Sequence, residues 1–336
     1  MYNENYKIFI SAGDIPAEWD GLSINNPYMR REFLSFLETE IPCEQKYYIF
    51  YGSTGFPDTV FVTYHDKTFD LGMLTAKRRI VDMTMVYMPV WVKRPGIIFG
   101  RERFDDALKY IKKIKGYKFI NCIPAHIKIK SGYTKAAAAP ACTLEIKWKT
   151  FEQYMSALRS NYRYRYNKAL KKSDGLKMAP LADNAEFSEE LYSLYEQVEN
   201  NAKIKIDKLP ISFFKSNLFK ILVFYKDNAP AGFIQLLENG DELIFEFVGF
   251  DYKINAECHI YHRMLLEIIR YGIERGFKYI DFGQTADDTK LKLGCHYEYL
   301  KVYLHHSNPF INLAYRVIAP FIDYRPLKPD FNVFKT

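Results

Sequence analysis

Residues Glu274 to Leu304 read ERGFKYIDFGQTADDTKLKLGCHYEYLKVYL, and the order of signals in this stretch decides the fold. KYIDF is a short apolar run of strand type, Gly283, Gln284 and Thr285 turn the chain, TADDTKLKLG predicts a short helix, and YEYLKVYLHH alternates as a strand. Just upstream, CHIYHRMLLEIIRYGIERG places Ile260, Met264, Leu265, Ile268 and Ile269 on one face of a helix.

Further towards the amino terminus, FKILVFYK, AGFIQLLE and ELIFEFVGF predict three consecutive antiparallel strands joined by turns at DNAP and ENGD. LYSLYEQVE precedes them as a helix. TFEQYMSALRSNYRYRYNKALKKSDG predicts one long helix, opened by Thr150 and closed near Gly175, with Phe151, Tyr154, Leu158, Tyr162 and Tyr166 at helical spacing. The first half supplies strands in KYYIFYG, DTVFVTYHD and RRIVDMTMVYMPVW, a helix in RERFDDALKYIKKIKG and a strand in KFINCIP. SGYTKAAAAPAC, Ser131 to Cys142, lacks periodicity and ends its alanine run in Pro140, which marks it as the crossover between two domains.

Composition agrees with a folded chain of about two domains. The 336 residues are 48% hydrophobic and 26% charged, which argues against disorder and low-complexity assembly. Aromatic residues reach 17%, with 27 Tyr, so a Tyr-rich groove is consistent with the composition. A net charge of +7 suits an anionic ligand without identifying a nucleic-acid binder. The five cysteines are widely spaced with no CxxC pair, which predicts neither a disulfide framework nor a zinc knuckle and suggests a reducing, cytoplasmic compartment. No signal peptide or transmembrane helix is expected.

The element order resembles the GNAT acyltransferase fold, in the FemAB-like branch where two GNAT-like domains stand in tandem. The resemblance rests on RSNYRYRYNKALKKSDGL, the hairpin with NAPAG, ERG followed by YIDFG, and Lys290 four residues before Gly294, and it covers roughly Thr143 to Leu304. It implies an α/β fold with mixed sheets (α+β in character): a degenerate amino-terminal copy over residues 1–140, an acyltransferase domain over 141–306, and a tail over 307–336 packed back on the domains. The activity implied is transfer of an acyl or aminoacyl group to an amine of a small molecule or a cell-wall precursor. Acyl-CoA is the implied co-substrate, aminoacyl-tRNA the alternative, and no metal is called for. The rival reading is a non-catalytic binding protein of GNAT descent that recognises a cell-wall precursor or nucleic acid.

Candidate site residues follow. Glu246 in ELIFEFVGF is expected on the face shared with Ile244 and Val248, where aromatic neighbours would raise its pKa towards that of a general base. Asp281 ends the YIDF strand and is expected either to meet an amine or to cap the helix after Thr285. The strand edge at Phe247 and Val248 is where the resemblance places the pantetheine arm, added like a strand. Asn255 and His259 belong to the implied pyrophosphate turn, which in KINAECH contains no glycine. The basic helix carries Arg159, Arg163, Arg165, Lys168, Lys171 and Lys172; of these Arg159, Arg163 and Lys168 are assigned to an anion groove, against the alternative of a solvated face. Lys290 is assigned to a pyrophosphate or carboxylate, its alternative being a surface lysine paired with Asp287, and Tyr297 is placed with the substrate. His305 and His306 read as surface residues. The tail beyond residue 307 offers peripheral membrane contact through Phe310, Ile311, Leu313, Tyr315, Val317 and Ile318, beside Arg316 and Arg325.

Overall fold

Period-two runs of Tyr, Phe, Val and Ile in the first half become a mixed sheet in the computed structural model, which describes residues 5–70, 79–129, 132–202, 208–322 and 331–335. Ser131 and Arg325 lie outside the described residues. The chain divides into two units, residues 1–140 with 299–326 and residues 141–298 with 327–336. Both are mixed α/β.

The first unit runs β1 (Tyr6–Phe9), α1 (Glu18–Leu22), α2 (Arg31–Glu40), β2 (Gln45–Tyr51), β3 (Pro57–Asp70), β4 (Ile80–Val86), β5 (Ile97–Ile98), α3 (Phe104–Lys113), β6 (Tyr117–Pro124) and β7 (Thr134–Ala137). The second runs β8 (Ala141–Glu145), α4 (Phe151–Ala157), α5 (Ser160–Lys172), β9 (Lys177–Pro180), α6 (Glu189–Asn201), α7 (Ile211–Phe214), β10 (Lys220–Lys226), β11 (Ala229–Asn239), β12 (Glu242–Phe250), α8 (Tyr252–Cys258), α9 (Ile260–Glu274), β13 (Tyr279–Asp281), α10 (Asp287–Leu291) and β14 (His296–Glu298). The chain then returns to the first unit as β15 (Leu300–His306) and α11 (Pro309–Ile322).

The first sheet is ordered β1-β2-β3-β4-β6-β15-β7, with β5 beside β3, and the second β14-β8-β13-β12-β11-β10-β9. Among the described residues each sheet contains one parallel pair, β4 with β6 and β12 with β13, with α3 between the strands of the first pair in sequence and α8 and α9 between those of the second. A parallel pair needs such a crossover because a tight hairpin cannot reverse the chain twice. In the second unit α9 buries Ile260, Met264, Leu265, Ile268 and Ile269, the face read from its periodicity, at about 1.5–3 kcal/mol for each large side chain.

Four expectations change. The single long helix is two, because Leu158 is extended and fully buried and forms an antiparallel bridge with Phe334 from the carboxyl-terminal segment. Thr150 does open the first of them, accepting from the Gln153 amide at 3.2 Å. Residues 300–306, assigned by sequence to the second domain, pair instead with β6 and β7 of the first sheet, since an alternating strand does not encode which sheet it joins. The tail divides likewise, α11 going with the first unit and residues 331–335 with the second. His305 and His306 are half-buried rather than surface residues, and burial pushes His305 down to about 4.

The carboxyl-terminal segment is tied to the second unit by close packing at Gly294, whose φ is +96° and where an added Cβ would lie 2.2 Å from the Phe334 ring. Gly294→Ala is expected to lower unfolding free energy by about 1–3 kcal/mol. Denaturant titration with a Phe334→Ala partner should recover the steric part and leave the backbone part; full additivity of the two losses would contradict the contact.

Candidate functional site

The ladder between β12 and β13 spans only Glu242–Ile244 against Tyr279–Asp281. From Phe245 to Phe250 the strand continues along β11, but β13 has ended, so the two parallel strands part. Within the open stretch, β12 carries one extra residue: Leu236 faces Phe245 and Gln235 faces Phe247, leaving Glu246 at a bulge. A bulge reverses the alternation of side chains beyond it. Val248 therefore joins the core on the side of Leu243 and Phe245, while Phe247 packs edge-on to Tyr195, Phe213 and Phe214. The sequence expectation that Ile244 and Val248 share a face with Glu246 is thus corrected. Glu246 is half-buried at the start of the opening.

At the fork the chain adopts an unusual backbone. Gly283, Thr285 and Ala286 all have positive φ, at 68°, 63° and 49°. The left-handed region costs a residue with a side chain about 1–2 kcal/mol, so the turn must be held by other contacts. Asp281, 1% exposed, accepts from the Gly283 amide at 2.8 Å. It caps no helix: α10 begins at Asp287 after Ala286, with no side-chain cap. Lys290 donates from Nζ to the Gln284 carbonyl at 2.8 Å, and Tyr297 donates to Asp287 Oδ2 at 2.8 Å. The surface-lysine alternative for Lys290 is overturned, because the residue is 3% exposed. Burial pushes its ammonium below the usual lysine range, against the opposite pull of Cys142, Cys295, Asp281 and Asp287. Burial also pushes the Cys295 thiol well up, which leaves it a poor nucleophile.

A second cluster lies at the amino terminus of α9. Asp251 caps α8 through the Lys253 and Ile254 amides, and His259 is left-handed between α8 and α9. Asn255 Oδ1 accepts from the Tyr261 amide at 3.1 Å, taking one of the donors that a glycine-rich turn would offer an anion. Helix α5 packs on α8 and α9. His259 is held below its ordinary value by burial, then by Lys172 and Lys168. His262 is lowered by burial, then by His259, Arg165 and Lys292. Cations of α5 and Lys292, which follows α10, therefore act on these two histidines.

Of the residues assigned to the groove by sequence, Lys168 belongs to this cluster and two arginines do not. Arg159 donates to the Phe334 carbonyl at 3.1 Å, and Arg163 to the carbonyls of Ser156 and Leu158 at 3.2 and 3.4 Å. Both guanidiniums hold the break between α4 and α5. Lys172, one turn after Lys168, and Arg165, one turn before it, were legible as one stripe of the helix; Lys292 and His262 come from other elements and had no signal. Among the described residues no group of three His, Cys, Asp or Glu side chains is placed to hold a metal ion.

Residues 156–291 match the family model of the acetyltransferase (GNAT) domain. Three solved structures share the fold of the whole chain. FemX aligns at 11% identity with a TM-score of 0.57, over 92% of this chain and 100% of that one. The C-terminal domain of a protein described as a lysylphosphatidylglycerol synthetase from Agrobacterium fabrum aligns at 9% identity and 0.55, over 91% and 94%. L-PGS from Bacillus licheniformis aligns at 12% identity and 0.51, over 94% and 98%. No curated protein matches the chain by sequence. A GNAT domain model thus matches within the second unit, and the chain shares its fold with these three structures.

The convergence of charge is testable in isolation. Replacing Lys168 and Lys172 by Met should raise the His259 pKa towards the ordinary imidazole value, because two repelling charges are lost while burial remains. Imidazole NMR titration reads this directly, and an unmoved His259 would show that α5 points its lysines elsewhere. Arg163→Ala should leave that titration alone and lower the melting temperature.

Proposed function

We propose that the second unit is an N-acyltransferase that moves an acyl or aminoacyl group from an activated donor to the amine of a small molecule or cell-wall precursor. The observation that carries this reading is the open edge of β12 with Glu246 at its bulge. An extended donor arm adds there like a strand, hydrogen-bonding to the backbone around Phe247 and Val248. Phosphate groups lie towards Lys168, Lys172 and His259 at the start of α9, where the helix dipole adds to the side-chain charge. With the Tyr261 amide engaged by Asn255, side-chain cations rather than a backbone cradle make the phosphate contact.

Glu246 takes the proton of the attacking ammonium, directly or through water, since it is the carboxylate at the mouth of the opening. Asp281 is buried and engaged with Gly283, so it shapes the fork rather than exchanging protons. Lys290 and Tyr297 fix the turn beside which the acceptor binds. The chemistry is then positioning and proton removal, without a covalent enzyme intermediate.

Acyl-CoA is the donor favoured by the GNAT domain match. Aminoacyl-tRNA is the second reading, supported by the glycine-free turn and by a similar fold whose name is that of a synthetase of lysylphosphatidylglycerol, a lipid that carries a lysyl group. Equilibrium binding of labelled CoA and of charged tRNA separates the two, and failure of both would favour the non-catalytic binding protein.

Once the donor is known, Glu246→Gln should lower the transfer rate by about two to four decades with little change in stability. The wild-type rate should rise with pH through one apparent pKa, and that limb should shift or vanish in the variant. Full activity of Glu246→Gln with an inactive Asp281→Asn would move the base to the fork and overturn the assignment.

A further inference from the structure

We infer that the first unit docks on an anionic lipid bilayer through the outer face of α11 and the lysines beside it. The helix is anchored from below: Tyr315 and Ala319 are buried, and Tyr117 meets Tyr315 with ring centroids 6.2 Å apart. Asn312 donates to the Gly132 carbonyl at 3.3 Å and accepts from the His306 amide. The opposite stripe is apolar and open to solvent, with Phe310 81%, Leu313 58% and Val317 65% exposed. Positions i, i+3 and i+7 of a helix stand in one row. Three large apolar side chains in one exposed row mark a surface built to leave water.

The charged residues of α11, β15, β6 and β7 are all basic. Residues 299–322 contain no Asp or Glu, and neither do residues 107–140, which hold most of α3 and all of β6 and β7. These are the elements the topology gathers at one end of the sheet, where β6, β15 and β7 are neighbours and α11 packs on β7 and β15. The turn after α3 is fastened to the start of α11, Gly116 donating to Ser307 Oγ at 3.1 Å and Ser307 donating to the Gly116 carbonyl. Lys113 and Lys115, just before Gly116, are exposed. Arg316 is exposed on α11 itself, and Lys128 and Lys135 act on Lys301 of β15.

An apolar row rimmed by cations matches an anionic bilayer, in which the row enters the headgroup boundary and the lysines meet lipid phosphates. It does not match a second copy, which would set Arg316 and the lysines of one chain against those of the other. A nucleic acid would engage the lysines and leave Phe310, Leu313 and Val317 in water. No described helix is long and apolar enough to cross a membrane, so the contact is with the surface.

Co-sedimentation of the full chain with vesicles tests this. Vesicles of mixed phosphatidylglycerol and phosphatidylcholine should carry the protein down, and added salt should weaken the binding. Vesicles of phosphatidylcholine alone should bind weakly. The triple change Phe310→Ser, Leu313→Ser, Val317→Ser should cut partitioning about tenfold or more, and Lys113→Glu with Lys115→Glu should remove the preference for anionic lipid. Melting temperatures should be unchanged, because these side chains are exposed. Absence of sedimentation, or sedimentation indifferent to both variants, overturns the inference. So does a dimer that the triple change dissolves without lipid, or a short RNA that binds through Lys113 and Lys115 while vesicles do not.

Discussion

The second unit depends on a parallel ladder only three residues long. Ile244 and Asp281 are its last pair, and beyond them β12 keeps β11 while the chain after β13 turns away. The turn is not a continuation that happened to fail. Gly283, Thr285 and Ala286 stand in the left-handed region, and the Gly283 carbonyl accepts from the Cys142 amide of β8, so the chain is drawn to that neighbour. A strand that gave its backbone groups to β13 would have none to offer a ligand. The fork therefore converts a sheet, which buries its polar backbone, into a place where backbone polarity is available at a chosen edge.

Holding that fork open requires a buried charge. Lys290 reaches the Gln284 carbonyl, Asp281 Oδ1 takes the Gly283 amide and Tyr297 holds Asp287. Such a cluster is a poor source of net stability compared with apolar packing, but losing one member leaves the others uncompensated. Its contribution is to geometry: it fixes one turn among the several that the sequence GQTAD could adopt. The cations at the start of α9 do a different job. Arg165, Lys168 and Lys172 are exposed to solvent and so remain able to meet an anion.

The element order was legible because each element repeats its own period. Helix α9 showed its buried face in Ile260, Met264 and Leu265, and β10 to β12 showed themselves as apolar runs bounded by turns. What stayed hidden were facts about partners. The strand of residues 300–306 reads alike whichever sheet receives it. Glu246 reads as one more alternating position, because the extra residue of a bulge has no composition of its own. Strand β8 was missed because it is short and follows an alanine run, yet it lies between β14 and β13 and receives the fork. Arg159 and Arg163 look like groove residues until the carbonyls they hold are in place.

The same dependence on partners explains why a distant segment governs the site. Leu158 is driven out of helical geometry by its bridge to Phe334, and Arg159 then starts a new helix with its amide on the Val333 carbonyl. A helix running unbroken from Phe151 to Lys172 would carry Lys168 and Lys172 along the line of α4. The break lets α5 take its own direction against α8 and α9, which puts those lysines beside His259. Phe334 also packs against Trp148 and Tyr154 and lies over Gly294, the residue that ends the turn after Lys290. One aromatic ring thus bears on both the cation stripe and the buried lysine. The last described residues, expected to pack back on the domains, thus hold the break between α4 and α5 and cover the turn after Lys290.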